Sequence, residues 1–277
     1  MEGGFSMGFI ATEIAGVPVY SYGLLLTGII IVGLAVSWLN LRLHHQPLAP
    51  LVDMLLWGIP LAAICGHAGY VLHHFDEYAG NLPGVLWIWQ GGISFYGAMF
   101  GGLLAVFGVC RVQGRPTWRW LDLLAPGMVL MLALYEFGMF DLQMTMGLPL
   151  PQDIPNDHAL VEYVEFSYRP VGFQDTQYFQ PIALYQSGLQ LLVCLLLIVL
   201  TLVQAIWRRP RCSGCLFLLG TCLVAFIRCG CGFFYLSNGS QGWLPLGRAL
   251  SGGLGIVLLG WLLLRLRHSG QTYYREV

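Results

Sequence analysis

Two residues of opposite charge stand inside apolar runs that otherwise hold almost none. Glu136 lies in the run 132–140 and Arg228 in the run 224–235. A charge at mid-membrane costs about 2.5–3.5 kcal/mol on insertion scales, so each needs a partner or a task. One reading is an internal ion pair, each residue cancelling the other. Another makes Arg228 a clamp for a lipid phosphate, since a guanidinium grips phosphate oxygens in a bidentate fork. The two are not exclusive. Glu136 could also be held neutral by desolvation, or act as a base. His67 and Arg248 intrude on apolar runs as well, whereas Asp53 and Asp122 sit near span ends, where solvation or capping accounts for them. A haem would want two facing axial histidines, and His67 has no mid-span counterpart. No residue set resembles a metal cage, so neither metal nor cofactor is expected.

A second chemical feature is the stretch 89–102, which carries Gly91, Gly92, Gly97, Gly101 and Gly102 around Gln90, Ser94 and Tyr96. Glycines let backbone or lipid approach closely. The polar groups among them fall at the start of an apolar run, where a lipid head group would lie, so the stretch reads as the lining of a lipid site. Of the eight cysteines, most lie in apolar runs and read as small apolar residues. Cys212 and Cys215 have C-x-x-C spacing without a second such pair, which is weak support for metal or redox work.

The elements that must position these groups follow from composition. The 277 residues are 57% hydrophobic and 10% charged, against roughly 25% charged in soluble domains. Seven runs reach the length of a membrane span: 22–43, 51–72, 95–112, 120–140, 184–207, 215–236 and 246–266. The expectation is one all-α, polytopic membrane domain over 1–277, with seven transmembrane helices. There is no lysine, and ten of the 13 arginines fall after spans one, three, five and seven, while the acidic residues gather on the other side. The positive-inside rule then places the N-terminus outside and the C-terminus in the cytoplasm. The first 20 residues lack arginine and lysine and read as an extracytoplasmic lead-in, not a cleaved signal. Residues 76–90 end in an aromatic cluster suited to a surface-lying helix. Residues 141–180 are too polar to span and read as a small extracytoplasmic cap with one hairpin. Basic patches for nucleic acid are absent, and that class of partner is excluded.

At this point a resemblance emerges. Gly91-Gly92-Ile93-Ser94-Phe95-Tyr96-Gly97 resembles the Gly-Gly-(Leu/Met/Ile)-Ser-Phe-His-Gly signature of the prolipoprotein diacylglyceryl transferases. Further matches follow in the family's order: Tyr22-Gly23; Gly66-His67-Ala68-Gly69-Tyr70-Val71-Leu72; Gln180-Pro181-Ile182-Ala183-Leu184-Tyr185-Gln186; Arg228 with Phe233-Phe234; and Gly247-Arg248-Ala249-Leu250-Ser251. The resemblance implies seven spans in a bacterial inner membrane and a reaction that moves diacylglyceryl from phosphatidylglycerol to a lipobox cysteine thiol. It also implies lipid contacts at Tyr22, Gly91, Gly92, Ser94, Gly97, Tyr185 and Arg228. The departures fall on polar positions. Tyr96 stands for the signature histidine, and a tyrosine with a reference pKa near 10 is a poor base. Glu136 and Met139 stand for the arginine and asparagine of Gly-Arg-x-Gly-Asn-Phe, Gly232 for a glutamate, Tyr235 for an arginine and His67 for an arginine.

Three functions follow. The first is a divergent member that keeps a phospholipid cleft but has lost or changed the transfer, with phosphatidylglycerol, a lipoprotein or a larger membrane complex as partner. The second is an active transferase using Tyr96, Glu136 and Arg228. The third is a structural subunit of a membrane complex.

Overall fold

The structure is a computed structural model that describes residues 10–14, 17–78, 82–87, 92–151, 161–207, 212–236 and 243–275. In chain order the elements are β1 (Ile10–Ile14), β2 (Val17–Tyr20), α1 (Ser21–Leu43), α2 (Ala49–His73), α3 (Phe75–Tyr78), α4 (Phe95–Val112), α5 (Thr117–Asp141), β3 (Glu162–Tyr163), β4 (Tyr178–Phe179), α6 (Ile182–Trp207), α7 (Cys215–Cys231) and α8 (Trp243–Arg275). Among the described residues, six helices are long and apolar enough to cross a bilayer: α1, α2, α4, α5, α6 and the part of α8 at Gly247–Arg267. The chain is therefore an all-α polytopic membrane protein.

The sixth expected span, 215–236, is shorter than its apolar run. α7 stops at Cys231, so its 17 residues rise about 26 Å. Beyond it, Tyr235 pairs with Gly147 and Leu236 N donates to Met146 O at 3.0 Å. That extended pairing claims residues whose hydropathy alone favours helix. The lead-in is also more ordered than composition suggests, because β1 and β2 form an antiparallel hairpin leading into α1. In place of one surface helix, residues 76–90 hold the end of α3 and a 3-10 turn at Leu82–Leu86; residues 88–90 of the aromatic cluster lie outside the described residues.

The chain divides into two compact units, one of Met1–Ser37 with Leu124–Val277, the other of Trp38–Leu123. In the second, α2 and α4 are built to touch. Ser94 N donates to Gly66 O at 2.9 Å. A Cβ on Gly97 would meet the Cys65 carbonyl and sit 3.0 Å from Gly66 Cα; one on Gly101 would sit 2.8 Å from Ala62 Cα. Small residues let these backbones meet, which supplies the packing that lipid-facing helices need. His67 is buried, with Nδ1 3.2 Å from Gly92 O and Nε2 3.0 Å from Val85 O. It ties α2 to the segment preceding α4.

In the first unit, Ala125 and Val129 of α5, Val193, Cys194 and Leu197 of α6, and Leu216 and Val224 of α7 form a buried core. Ser187 Oγ donates to Ala133 O at 2.9 Å, fixing the rotation of α6 against α5. Cys229 and Phe226 of α7 abut Gly252 and Gly255 of α8. Arg248, at the start of the last span, stacks over Phe233 with 5.2 Å between guanidinium carbon and ring centre. Cys212 and Cys215 form a disulfide across the turn that starts α7. Two inert thiols are the simplest sequence reading; the turn overrides it, because Gly214 at φ 90° folds the chain back and leaves the two Cα atoms 5.6 Å apart, within disulfide range.

The 141–180 region contains the expected hairpin, with Glu162 opposite Phe179 and Tyr163 opposite Tyr178. Residues 152–160 lie outside the described set. Residues 146–150 run beside β4, where Gly147 N donates to Gln180 O, Gln180 N to Leu148 O and Leu150 N to Tyr178 O. On their other side they meet Tyr235 and Leu236. Arg169 closes the region, with Nε donating to Val164 O at 3.0 Å and Nη1 to Gln174 O at 2.8 Å, and its guanidinium over Phe166.

Candidate functional site

Helix α5 carries Glu136 on the face that α6 and α7 share, one turn beyond Ala133, whose carbonyl anchors α6. This placement buries Glu136 to 4% exposure. Arg228 sits in the last turn of α7, and its Nη1 donates to Glu136 Oε1 at 2.6 Å. The pairing that opposite charges suggest in the sequence is thus formed. The side chain of Arg228 stays 25% exposed against 5% for Glu136, so the arginine is the partner that faces open space.

Two further groups complete the carboxylate's shell. Tyr235 OH lies 3.5 Å from Glu136 Oε2 and 3.4 Å from Gln186 Oε1, its single proton shared between them. Gln186 on α6 hydrogen-bonds Glu136 through its side chain. Next along α5, Tyr135 is hydrogen-bonded to Tyr22 at the start of α1. Neither Gln186 nor Tyr235 stands out in the sequence as a partner of Glu136, since nothing in residue type alone brings them together. The available signal is register: Gln186 and Gln190 are one turn apart on α6 and so share a face, and polar residues on one face of a span require partners. Among the described residues, the fully buried Gln190 amide finds no hydrogen-bond partner.

These groups wall a cavity of about 260 Å³ lined by Tyr135, Glu136 and Met139 from α5, Met144–Met146 and Pro170 from the segment between α5 and α6, and Arg228, Tyr235 and Leu236. Thr145 Oγ1 is buried there and, among the described residues, has no hydrogen-bond partner. At Gly232, the C-cap of α7, a Cβ would meet Arg248 Cγ at 2.8 Å and Arg228 O at 2.9 Å, so a longer side chain requires Arg248 to move.

Of the other residues singled out in the sequence, Tyr185 is exposed on α6. Gly92, Ser94, Tyr96 and Gly97 belong to the Trp38–Leu123 unit. There Gly92, at φ 79°, lies against the Tyr70 ring, Ser94 precedes α4, Gly97 meets α2, and Tyr96 is in edge contact with Phe95. Gly91 lies outside the described residues.

The sequence model of the family described as prolipoprotein diacylglyceryl transferase matches residues 9–265. The chain belongs to the prolipoprotein diacylglyceryl transferase family. Its relatives are bacterial. A phosphatidylglycerol–prolipoprotein diacylglyceryl transferase of Trichormus variabilis is 32% identical over 218 residues, covering 77% of this chain and 74% of the relative. One from Synechococcus elongatus is 29% identical, covering 78% and 73%. One from Listeria monocytogenes is 26% identical over 191 residues, covering 69% and 68%. Within this diacylglyceryl transferase-like framework, the cavity is a neutral assembly: one carboxylate, one guanidinium in contact with it, and hydroxyl or amide groups around the pair.

Proposed function

We propose that this diacylglyceryl transferase family member holds a glycerolipid by its head group in the Glu136–Arg228–Tyr235 cavity and has lost the transfer of diacylglyceryl from phosphatidylglycerol to a lipobox thiol. The observation that carries this reading is the 2.6 Å contact between Arg228 and Glu136. A phosphate clamp needs the guanidinium's charge and its paired N–H edge, and here Glu136 takes one Nη and cancels the charge. A base for the thiol needs a free lone pair within reach of the proton. Glu136 already accepts from Arg228, Tyr235 and Gln186. In this reading Tyr22, acting through Tyr135, and Tyr185 flank the lipid in the first unit, while Gly92, Ser94 and Gly97 seat α4 against α2 in the second. In this reading the protein lies in the bacterial cytoplasmic membrane with its N-terminus outside, an orientation that the arginine distribution supports.

Identity to named transferases over most of the chain favours one second reading, an active transferase using Tyr96, Glu136 and Arg228. A single assay separates the two. Purified protein is incubated in phosphatidylglycerol vesicles with a lipobox peptide, and the peptide mass is followed. The expected result is no diacylglyceryl addition. Turnover that disappears in Arg228→Ala would overturn the proposal.

A further inference from the structure

We infer that the Glu136–Arg228 cavity selects a glycerolipid whose head group is uncharged and hydroxyl-bearing, and that Glu136 is the residue that excludes anionic heads. The inference rests on the lipid-cavity reading above and names the ligand class.

The argument starts from the lining. Glu136 and Arg228 are the charged groups of the cavity wall, and they face each other at 2.6 Å. Their charges cancel. A phosphate diester entering beside them would leave one net negative charge in a site where the carboxylate is 5% exposed. Like charges brought together away from water are unfavourable, and Glu136 cannot turn aside without abandoning Arg228, Tyr235 and Gln186.

An uncharged hydroxylic head meets no such barrier. The wall offers the Tyr135 and Tyr235 phenol oxygens, which already hydrogen-bond Tyr22 and the Glu136–Gln186 pair and can still accept from a head-group hydroxyl, with the Thr145 side chain beside them. Thr145 Oγ1 has no hydrogen-bond partner among the described residues and gains one if the hydroxyl turns to a head-group oxygen. A cavity of 260 Å³ fits a glycerol- or hexose-sized head and not a whole lipid, leaving acyl chains to the surrounding bilayer. Met139, Met144 and Met146 give the remaining wall an apolar, adaptable surface.

The test uses the full chain in nanodiscs of phosphatidylcholine, with native mass spectrometry reading the bound lipid. Diacylglycerol, a monohexosyl diacylglycerol and phosphatidylglycerol are added at equal concentration. The expected result is retention of at least one uncharged lipid at tenfold or greater preference over phosphatidylglycerol. Glu136→Gln is expected to reverse this by raising phosphatidylglycerol binding at least tenfold, and Thr145→Val to weaken the uncharged lipid alone. Should Glu136→Gln fail to fold, the double change Glu136→Gln with Arg228→Gln keeps the cavity neutral and is expected to keep the preference. Equal or tighter binding of phosphatidylglycerol by the unaltered protein would overturn the head-group inference while leaving the lipid cavity standing. If none of the three lipids is retained by the unaltered protein or by Glu136→Gln, the lipid-cavity reading itself falls.

Discussion

Removing the guanidinium from Arg228 should destabilise the protein far more than removing the carboxylate from Glu136, although the two make the same contact. The asymmetry comes from exposure. In Arg228→Gln, Glu136 keeps a charge that is 5% exposed, with Gln186 and a 3.5 Å contact to Tyr235 as its remaining shell. Losing one partner of a buried pair costs about 3–5 kcal/mol. Arg228 is a quarter exposed, so part of its attraction is already screened, and the expected loss is about 2–4 kcal/mol. In Glu136→Gln, Arg228 can turn to solvent and the new amide oxygen can still accept a hydrogen bond, so the loss is about 0.5–1.5 kcal/mol. The double change leaves no buried charge and should sit close to the milder single one. The cycle therefore yields a coupling of about 2–4 kcal/mol, the size of the Arg228→Gln loss itself. Thermal unfolding in nanodiscs would read the Arg228→Gln loss as a fall of about 4–16 °C, at about 2–4 °C per kcal/mol for a chain of this size. Additivity of the two single changes to within about 0.5 kcal/mol would refute the pairing on which the site is built.

Other outcomes follow from other parts of the fold. Gly97→Ala should destabilise by about 1–3 kcal/mol, because the new Cβ meets the α2 backbone, which cannot yield. Gly102→Ala, with nothing within 4 Å, should be neutral or stabilising by up to about 1 kcal/mol, and thermal unfolding of the pair of variants compares them. Glu162, buried to 3% exposure, has its carboxyl pushed up by that burial to about 7. An acid raised in the folded state favours folding most below its unfolded value of 4.5, and this contribution declines as pH climbs to about 7. The total is at most roughly 3 kcal/mol at 1.36 kcal/mol per pH unit. Amide exchange of the β3–β4 hairpin at pH 5 and pH 8 should show faster opening at the higher pH, and Glu162→Gln should remove the difference. Peptide mass mapping without reductant should find Cys212 joined to Cys215. A ring of four residues constrains little unfolded chain, so reduction should cost no more than about 2 kcal/mol.

The apolar runs made the helices legible, since length and missing charge are sufficient to call for a span, and six of the seven runs end within a few residues of their expected limits. α7 falls short because hydropathy cannot register that Tyr235 and Leu236 have an extended partner ninety residues away. The opposite charges of Glu136 and Arg228 were enough to suggest their pairing. The rest of the shell was not readable: Tyr235 and Gln186 are ordinary residue types whose meeting depends on where α7 stops and how α6 is rotated. His67, conspicuous as a polar residue in a span, lies between the backbone carbonyls of Gly92 and Val85 and donates to one of them according to its tautomer, which no side-chain pattern reveals. The disulfide turned on the left-handed φ of Gly214, a property of the backbone.

The segment 146–150 is hydrogen-bonded on both flanks, to Leu236 on one and to Tyr178 and Gln180 on the other, while Met144, Thr145 and Met146 form one wall of the cavity. A wall held along both edges does not swing aside by rotating a few side chains. To open it, one row of backbone hydrogen bonds must be broken, a local unfolding step slower than loop motion. The wall is therefore a fixed side of the cavity, and an occupant enters and leaves on the open side that Arg228 faces. The amides of Leu150, Gln180 and Leu236 should accordingly stay protected while the occupant exchanges. Exchange of these amides in step with dissociation would show that the wall opens instead.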